Sequence, residues 1–215
     1  MGQSDHGSHS ALPDAWPDVT RACAYALSRL ERELSPTLCY HSVAHTRDDV
    51  AVAVKRLASA EKVVGEALLL LRTAAYFHDV GFVEAREDHE FRGARIAAAA
   101  LPGFGYRPDQ IALIEGMIMA TRLPQMPRTL LERILADADL DVFGRADFLA
   151  VNSCLRAELA AAGSVFSDSE WYSGQISFLC SHRYWTSGAR ALRDQQKRAN
   201  IAALERLLSA SAEHD

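Results

Sequence analysis

His78 and Asp79 stand side by side near the end of the apolar run AAYFHDVGF, residues 74–82. An imidazole and a carboxylate at such a place are costly to bury unless a cation, a hydrogen-bond network or a metal compensates them. Two further stretches carry residues of the same kinds. In YHSVAHTRDDV, residues 40–50, His41 and His45 are four apart, so on a helix they share a face about one turn from each other. In ILADADLDVFG, residues 134–144, Asp137, Asp139 and Asp141 alternate toward Gly144. A calcium loop does not account for that triplet: its sixth position is Val142 where glycine is needed, and its twelfth is Phe148 where a glutamate is needed. A solvated helix end and a metal site are the readings left. Imidazoles and carboxylates without a thiolate suit Mn, Fe, Co, Ni or Mg better than structural zinc.

Successive helical residues diverge by roughly 100°. His78 and Asp79 therefore converge on one ion only at a helix end or in an irregular turn, and Gly81 is placed to permit that turn. Apolar residues recur at helical spacing along the chain, while alternating β-branched runs are nearly absent, which predicts an all-α fold. Helices are expected near 17–34, 43–60, 63–79, 87–101, 108–121, 128–138, 145–162, 169–184 and 187–209, with turn chemistry between them. Asp168 or Ser169 is placed to cap the eighth. Residues 63–77, VVGEALLLLRTAAYF, are mostly apolar around the whole circumference, so this helix is expected at the centre with its end opening inside the protein. The last helix presents a stripe of Ala191, Leu192, Ala199, Ala202, Ala203 and Leu207, the pattern of a peripheral packed helix. Residues 1–12 read as a flexible tail and 13–215 as one helical domain.

The motifs in order resemble the HD-domain superfamily of metal-dependent phosphohydrolases, whose signature is a His, an adjacent His-Asp and a distant Asp on a helical bundle. YHSVAHT is similar to the YHNxxHT of some members, and LADADLDVFG to the DADLDxLG of a bacterial branch known only as predicted HD phosphohydrolases. HDVGF…HEFRGARIA and FLCSHRYWTSGARALRD…K…N echo that branch over roughly residues 40–205. The resemblance implies an HD-type bundle of about nine helices and a divalent ion (Mn, Fe, Co, Ni, Mg or Zn) held by His45, His78, Asp79 and Asp139. Asp139 is preferred within its triplet because other branches place the ligand directly after an Ala.

The same resemblance implies hydrolysis of a phosphomonoester or phosphodiester, with a nucleotide as one candidate, by a metal-activated water. Asp79 and His41 are the catalytic candidates, His41 as an acid assisting the leaving group; its bland alternative is to orient a neighbour. His89 is a candidate for a second ion or for substrate phosphate. Thr121 stands where some dinuclear relatives carry a further His, which favours one metal. Substrate-binding candidates are Thr121, Arg122, His182, Arg183, Arg190 and Lys197, with Arg145 also cationic; Tyr184 and Trp185 offer rings for stacking or for the core. The alternatives are an HD-type di-iron oxygenase and a nucleotide-responsive binding module without turnover.

Composition limits the partners. The chain has 215 residues, 49% hydrophobic and 24% charged, with a formal net charge of −5. That balance offers no continuous cationic face for a nucleic-acid duplex, and the partner expected is a small phosphorylated molecule. Cys23, Cys39, Cys154 and Cys180 lack C-x-x-C spacing and read as reduced core or near-core residues, which suggests the cytoplasm. No basic and apolar leader opens the sequence, and residues 63–82 are broken by Glu66, Arg72, His78 and Asp79, so neither a secretory signal nor a membrane span is expected. No oligomer seam stands out.

Overall fold

The computed structural model describes residues 16–211, and among these residues every regular element is helical. In chain order the helices are α1 (Val19–Glu33), α2 (Ala51–Ala60), α3 (Gly65–Phe77), α4 (His89–Ala100), α5 (Pro108–Met119), α6 (Leu130–Asp139), α7 (Phe148–Ala161), α8 (Asp168–Ser181) and α9 (Ser187–Ser211). Eight of them lie within about three residues of the expected segments, and the second, expected over 43–60, is divided into a π-helical turn, His45–Val50, and α2. The expected tail, residues 1–12, lies outside the described residues.

Side-chain chemistry fixes the ends. Asp18 accepts from the Arg21 N–H at 3.0 Å and starts α1. Thr129 and Glu132 form a reciprocal capping box at α6, and Ser167 and Glu170 do the same at α8. The cap of α8 is thus Ser167, not Asp168 or Ser169. Its hydroxyl reaches the Glu170 N–H while the Glu170 carboxylate reaches back, an arrangement that only this register allows.

Helix α3 is the centre. Leu70, Leu71, Ala74, Ala75 and Phe77 are buried on it, and α1, α2 and α5 pack around it. Burying each of the larger side chains contributes about 1.5–3 kcal/mol, so α3 is held by its surroundings on nearly every side. His78, immediately after its last residue, is fully buried.

Two expectations change. The buried face of α9 is Ala189, Lys197, Asn200 and Leu204, whereas Ala191, Leu192, Ala199 and Leu207 are exposed. Polar bonds decide the orientation: Asn200 Nδ2 donates to Phe143 O and Arg145 O, each at 2.8 Å, and Arg193 makes two 2.7 Å contacts with Asp141. An apolar stripe of mostly alanine has too little area to outweigh them. Of the cysteines only Cys23 is buried; Cys154 on α7 and Cys180 on α8 lie on outward faces of their helices, Cys39 lies in the irregular segment after α1, and all three are exposed free thiols. Among the described residues no helix is long and apolar enough to cross a membrane.

Candidate metal centre

Helix α3 ends at Phe77, His78 still has helical angles, and Asp79 falls at φ −101°, ψ 2°. That sparsely populated region breaks the helical phase, so the two neighbouring side chains turn toward the same point. Gly81 has a different role from the one expected. Its φ is not positive; a Cβ there would stand 1.9 Å from the His89 carbonyl oxygen and 2.7 Å from the Gly93 nitrogen. The residue is glycine because the start of α4 lies against it.

His45 opens a π-helical turn, His45–Val50, closed by the Ala51 N–H donating to Thr46 O. The extra residue in the turn re-aims side chains relative to the α-helix that follows, as such turns commonly do at functional sites. His45 is brought inward and Asp49 lies beside it, Oδ2 at 3.9 Å from His45 Nδ1. Asp49 is itself ion-paired with Arg145.

Four groups from three elements meet. His45 Nε2 lies 3.6 Å from Asp79 Oδ2 and 3.5 Å from Asp139 Oδ1, and His78 Nε2 lies 3.2 Å and 3.6 Å from the same two atoms. The donor atoms of His45, His78 and Asp79 all fall within 4.8 Å of one another. His45 Nε2, His78 Nε2 and Asp79 Oδ2 are buried without a hydrogen-bond partner. Three orphaned polar atoms aimed at one point are what a cation would satisfy. The second nitrogen of His78 supports this: Nδ1–H donates to Ala75 O at 2.8 Å, leaving the Nε2 lone pair free to coordinate.

The electrostatics ask for positive charge. Burial pushes the His45 ring down, but the carboxylates of Asp139, Asp49 and Asp79 outweigh it and hold the pKa up at about 9. His78 is likewise held well above its ordinary value by Asp79 and Asp139 against its burial. Against their own burial, Asp79 is held far below the carboxylate range by the surrounding imidazoles, His78 foremost, and Asp139 is held at about 2 by His45 and His78. A divalent cation with neutral imidazoles answers the same demand.

The aspartate triplet divides its work. Asp137 accepts from the Trp185 and Thr186 N–H groups at 2.7 and 2.8 Å and from the Thr186 hydroxyl at 2.7 Å. Asp141 pairs with Arg193 and with Arg56, the latter at 2.8 Å. Asp139 alone faces the imidazoles.

A cavity of about 160 Å³ opens on this cluster, lined by Tyr40, His41, Asp79, His89, Glu90, Thr121 and Asp139, with Leu155, Phe178 and Gln175 among the residues of its further wall. His41 and His89 both border it. His89 Nε2 is 3.7 Å from Asp79 Oδ1 and 3.5 Å from Glu90 Oε1, and its Nδ1 donates to Arg86 O at 3.0 Å. Thr121 is on the wall with its hydroxyl donating to Ile118 O at 2.7 Å. The cationic candidates are not on this wall. Arg122 pairs with Asp88 at 2.8 Å, and Arg190 donates to Tyr184 O and Trp185 O at 3.0 and 2.7 Å. Lys197 Nζ lies 3.0 Å from His182 Nδ1 and also donates to His182 O. Burial, and then Lys197, push the His182 ring down to about 3. Arg183 and His182 border a separate shallow cleft with Trp185. Tyr184 is wholly buried.

Glu158 and Asp49 adjoin the cluster and the cavity histidines, and neither is announced by a motif in the sequence. Glu158 is 1% exposed in α7 and accepts from the Tyr40 and His41 N–H groups at 3.0 Å each, from His41 Nδ1 at 2.6 Å and from Arg86 at 2.5 Å. A glutamate inside SCLRAELAAAG was the only signal for it. Asp49 had a better one, its i,i+4 spacing from His45.

A helical bundle carrying a buried His/Asp cluster at helix ends defines the class: an all-α protein whose clustered donor atoms could hold a cation. Residues 43–141 match the family model described as HD domain, and the matched segment contains His45, His78, Asp79 and Asp139. No curated protein sequence matches it. A crystal structure described as a predicted HD superfamily hydrolase, from an uncultured Thermotogales bacterium, is similar in fold, with a TM-score of 0.60 at 21% identity over 90% of this chain and 93% of that one.

Proposed function

We propose that this protein is a metal-dependent HD hydrolase that cleaves a phosphomonoester or phosphodiester of a small molecule. One observation carries the reading: His45 Nε2, His78 Nε2 and Asp79 Oδ2 are buried, face one another, and have no hydrogen-bond partner beside a cavity bordered by two further histidines. The HD-domain match and the hydrolase described for the structural neighbour support the same class.

His45, His78, Asp79 and Asp139 would hold the ion. When bound, it supplies a Lewis acid that polarises a phosphoryl oxygen and lowers the pKa of water. The protein's own groups do the rest. Asp49 beside His45 Nδ1 and the Ala75 carbonyl on His78 Nδ1 orient the two rings. Glu158 fixes His41 so that its Nε2 is the nitrogen left to hand a proton to a departing alkoxide. Leu155, Phe178 and the other apolar residues of the cavity keep bulk water from the far side and receive the organic part of the substrate.

The test is a panel of phosphorylated metabolites and nucleotides assayed for product release with Mn, Co, Ni, Mg and Fe, with Asp139→Ala as control. Metal-dependent release that Asp139→Ala abolishes is expected. Tight binding with no release under any metal overturns the hydrolase reading, and two iron atoms per chain with oxidation products would replace it.

A further inference from the structure

A cavity of about 370 Å³ is lined by none of the residues that border the metal centre. It lies between two facing stripes: Arg47, Ala51 and Lys55 along the π-helical turn and α2, and Leu68, Arg72 and Tyr76 along α3, with Val52 beside them. Each stripe repeats every four residues, so each presents one face of its helix to the other. The cleft exists because the middle position of the first stripe is an alanine, whose methyl leaves the space between the helices unfilled.

The lining chemistry is one-sided, with three cations and no carboxylate. Lys55 and Arg72 are exposed, and among the described residues neither side chain has a hydrogen-bond or ion-pair partner. Arg47 is engaged on one edge by Asp48, at 2.9 Å from Nε and 2.8 Å from Nη2, which leaves Nη1 for another acceptor. Glu31 is a further, weaker negative influence on Arg47. The remaining surface is the Tyr76 ring with Leu68, Val52 and Ala51, an apolar and aromatic wall. Two free cations and half of a third beside such a wall match a ligand with two or more negative charges on a planar or apolar body, and the volume lies in the range of small-molecule sites.

We propose that this cleft is a second ligand site, taking a phosphate-bearing small molecule of the nucleotide class, with its phosphates on Arg47, Lys55 and Arg72 and its ring against Tyr76. The site is independent of the metal centre in composition but touches the same elements. Arg47 lies two residues beyond His45, and Tyr76 two residues before His78, so an occupant spans the segments that present both imidazoles.

ADP is the probe, titrated calorimetrically into the full chain in the presence of EDTA, so that binding through a metal is removed. Saturable binding is expected. Lys55→Ala and Arg72→Ala should each weaken it about tenfold, the equivalent of one charge-assisted contact. Ala51→Leu, which fills the cleft without removing a charge, should weaken it as well, and adenosine and pyrophosphate alone should each bind less tightly than ADP. Circular dichroism of each variant checks that the fold is intact. Absence of ADP binding overturns the proposal. So does binding that is unchanged in Lys55→Ala and Arg72→Ala, and so does binding that Asp139→Ala abolishes, since that would put the nucleotide at the metal cluster.

Discussion

Glu158 Oε1 lies 2.6 Å from His41 Nδ1, and the other oxygen of the same carboxylate accepts from the backbone N–H groups of Tyr40 and His41. One buried side chain on α7 thus fixes both the path of the 40–41 segment and the ring orientation of a histidine on the cavity wall. A carboxylate behind a histidine sets which nitrogen carries the proton, and so which one faces the substrate. The stacking of His41 on Phe82, with ring centres 4.2 Å apart, holds the ring plane from another side.

The hydrogen bonds to Glu158, that of His41 first, hold its carboxyl at about 2 against its own burial. Its folded pKa lies below the ordinary value, so its contribution to stability is fully present above pH ~4.5 and is lost as pH falls toward 2. The shift corresponds to about 3 kcal/mol at neutral pH. Glu158→Gln should therefore lower the unfolding free energy by about 2–3 kcal/mol at pH 7, and the gap to the unaltered protein should close on acidification. Urea unfolding at several pH values measures it; a gap constant from pH 7 to 3 would mean the carboxylate's charge is not what matters.

If His41 hands a proton to the leaving group, His41→Ala should keep the metal and slow turnover by about 10²-fold or more on alkyl phosphates. With p-nitrophenyl esters, whose leaving group needs no proton, the loss should be far smaller. Steady-state rates on the two substrate types, with metal content read on the same samples, check this. Equal losses on both would leave His41 a positioning role only.

Element positions were legible in the sequence because hydrophobic period and caps are local. That His45, His78, Asp79 and Asp139 come together in space was legible through motif order. What escaped depended on partners far along the chain. Glu158 binds residues 117 and 118 positions away, and nothing around it announces that. The arginines looked alike in sequence, yet Arg122 and Arg190 are occupied by Asp88 and by two carbonyls, and only the folded chain distinguishes such an arginine from a free one. The π-helical turn at His45–Val50 was invisible for a different reason: one extra residue per turn barely disturbs an apolar pattern read over a whole helix.

Three aspartates spaced by two residues should fail in three ways. Asp139→Ala should abolish bound metal and leave helix content and stability nearly unchanged. Asp137→Ala removes the acceptor of three hydrogen bonds from Trp185 and Thr186 and should cost about 2–3 kcal/mol. Asp141→Ala strips Arg193 and Arg56 of their partner and should cost about 3 kcal/mol, again with metal retained when folded. Metal analysis and denaturant unfolding on the three variants separate the roles; metal loss in Asp141→Ala with Asp139→Ala still loaded would reverse the assignment.

Gly81 is the point where the turn after His78–Asp79 meets α4. A methyl group there would stand 1.9 Å from the His89 carbonyl oxygen, and the opposing Gly93 already lies against the Phe77 and His78 carbonyls, so neither backbone has room to retreat. The clash is with backbone and not with a flexible side-chain tip, so α4 as a whole would have to move, carrying His89 and Glu90 away from Asp79. Gly81→Ala should therefore destabilise the protein by about 3 kcal/mol or more. It should also weaken metal binding in whatever fraction remains folded, because the Asp79 turn shifts with it. Gly103→Ala, where a Cβ meets nothing within 4 Å, is the matched control and should be nearly silent. Thermal unfolding and metal titration of the two variants make the comparison, and equal melting temperatures would show that the contact between the turn and α4 is looser than the glycines imply.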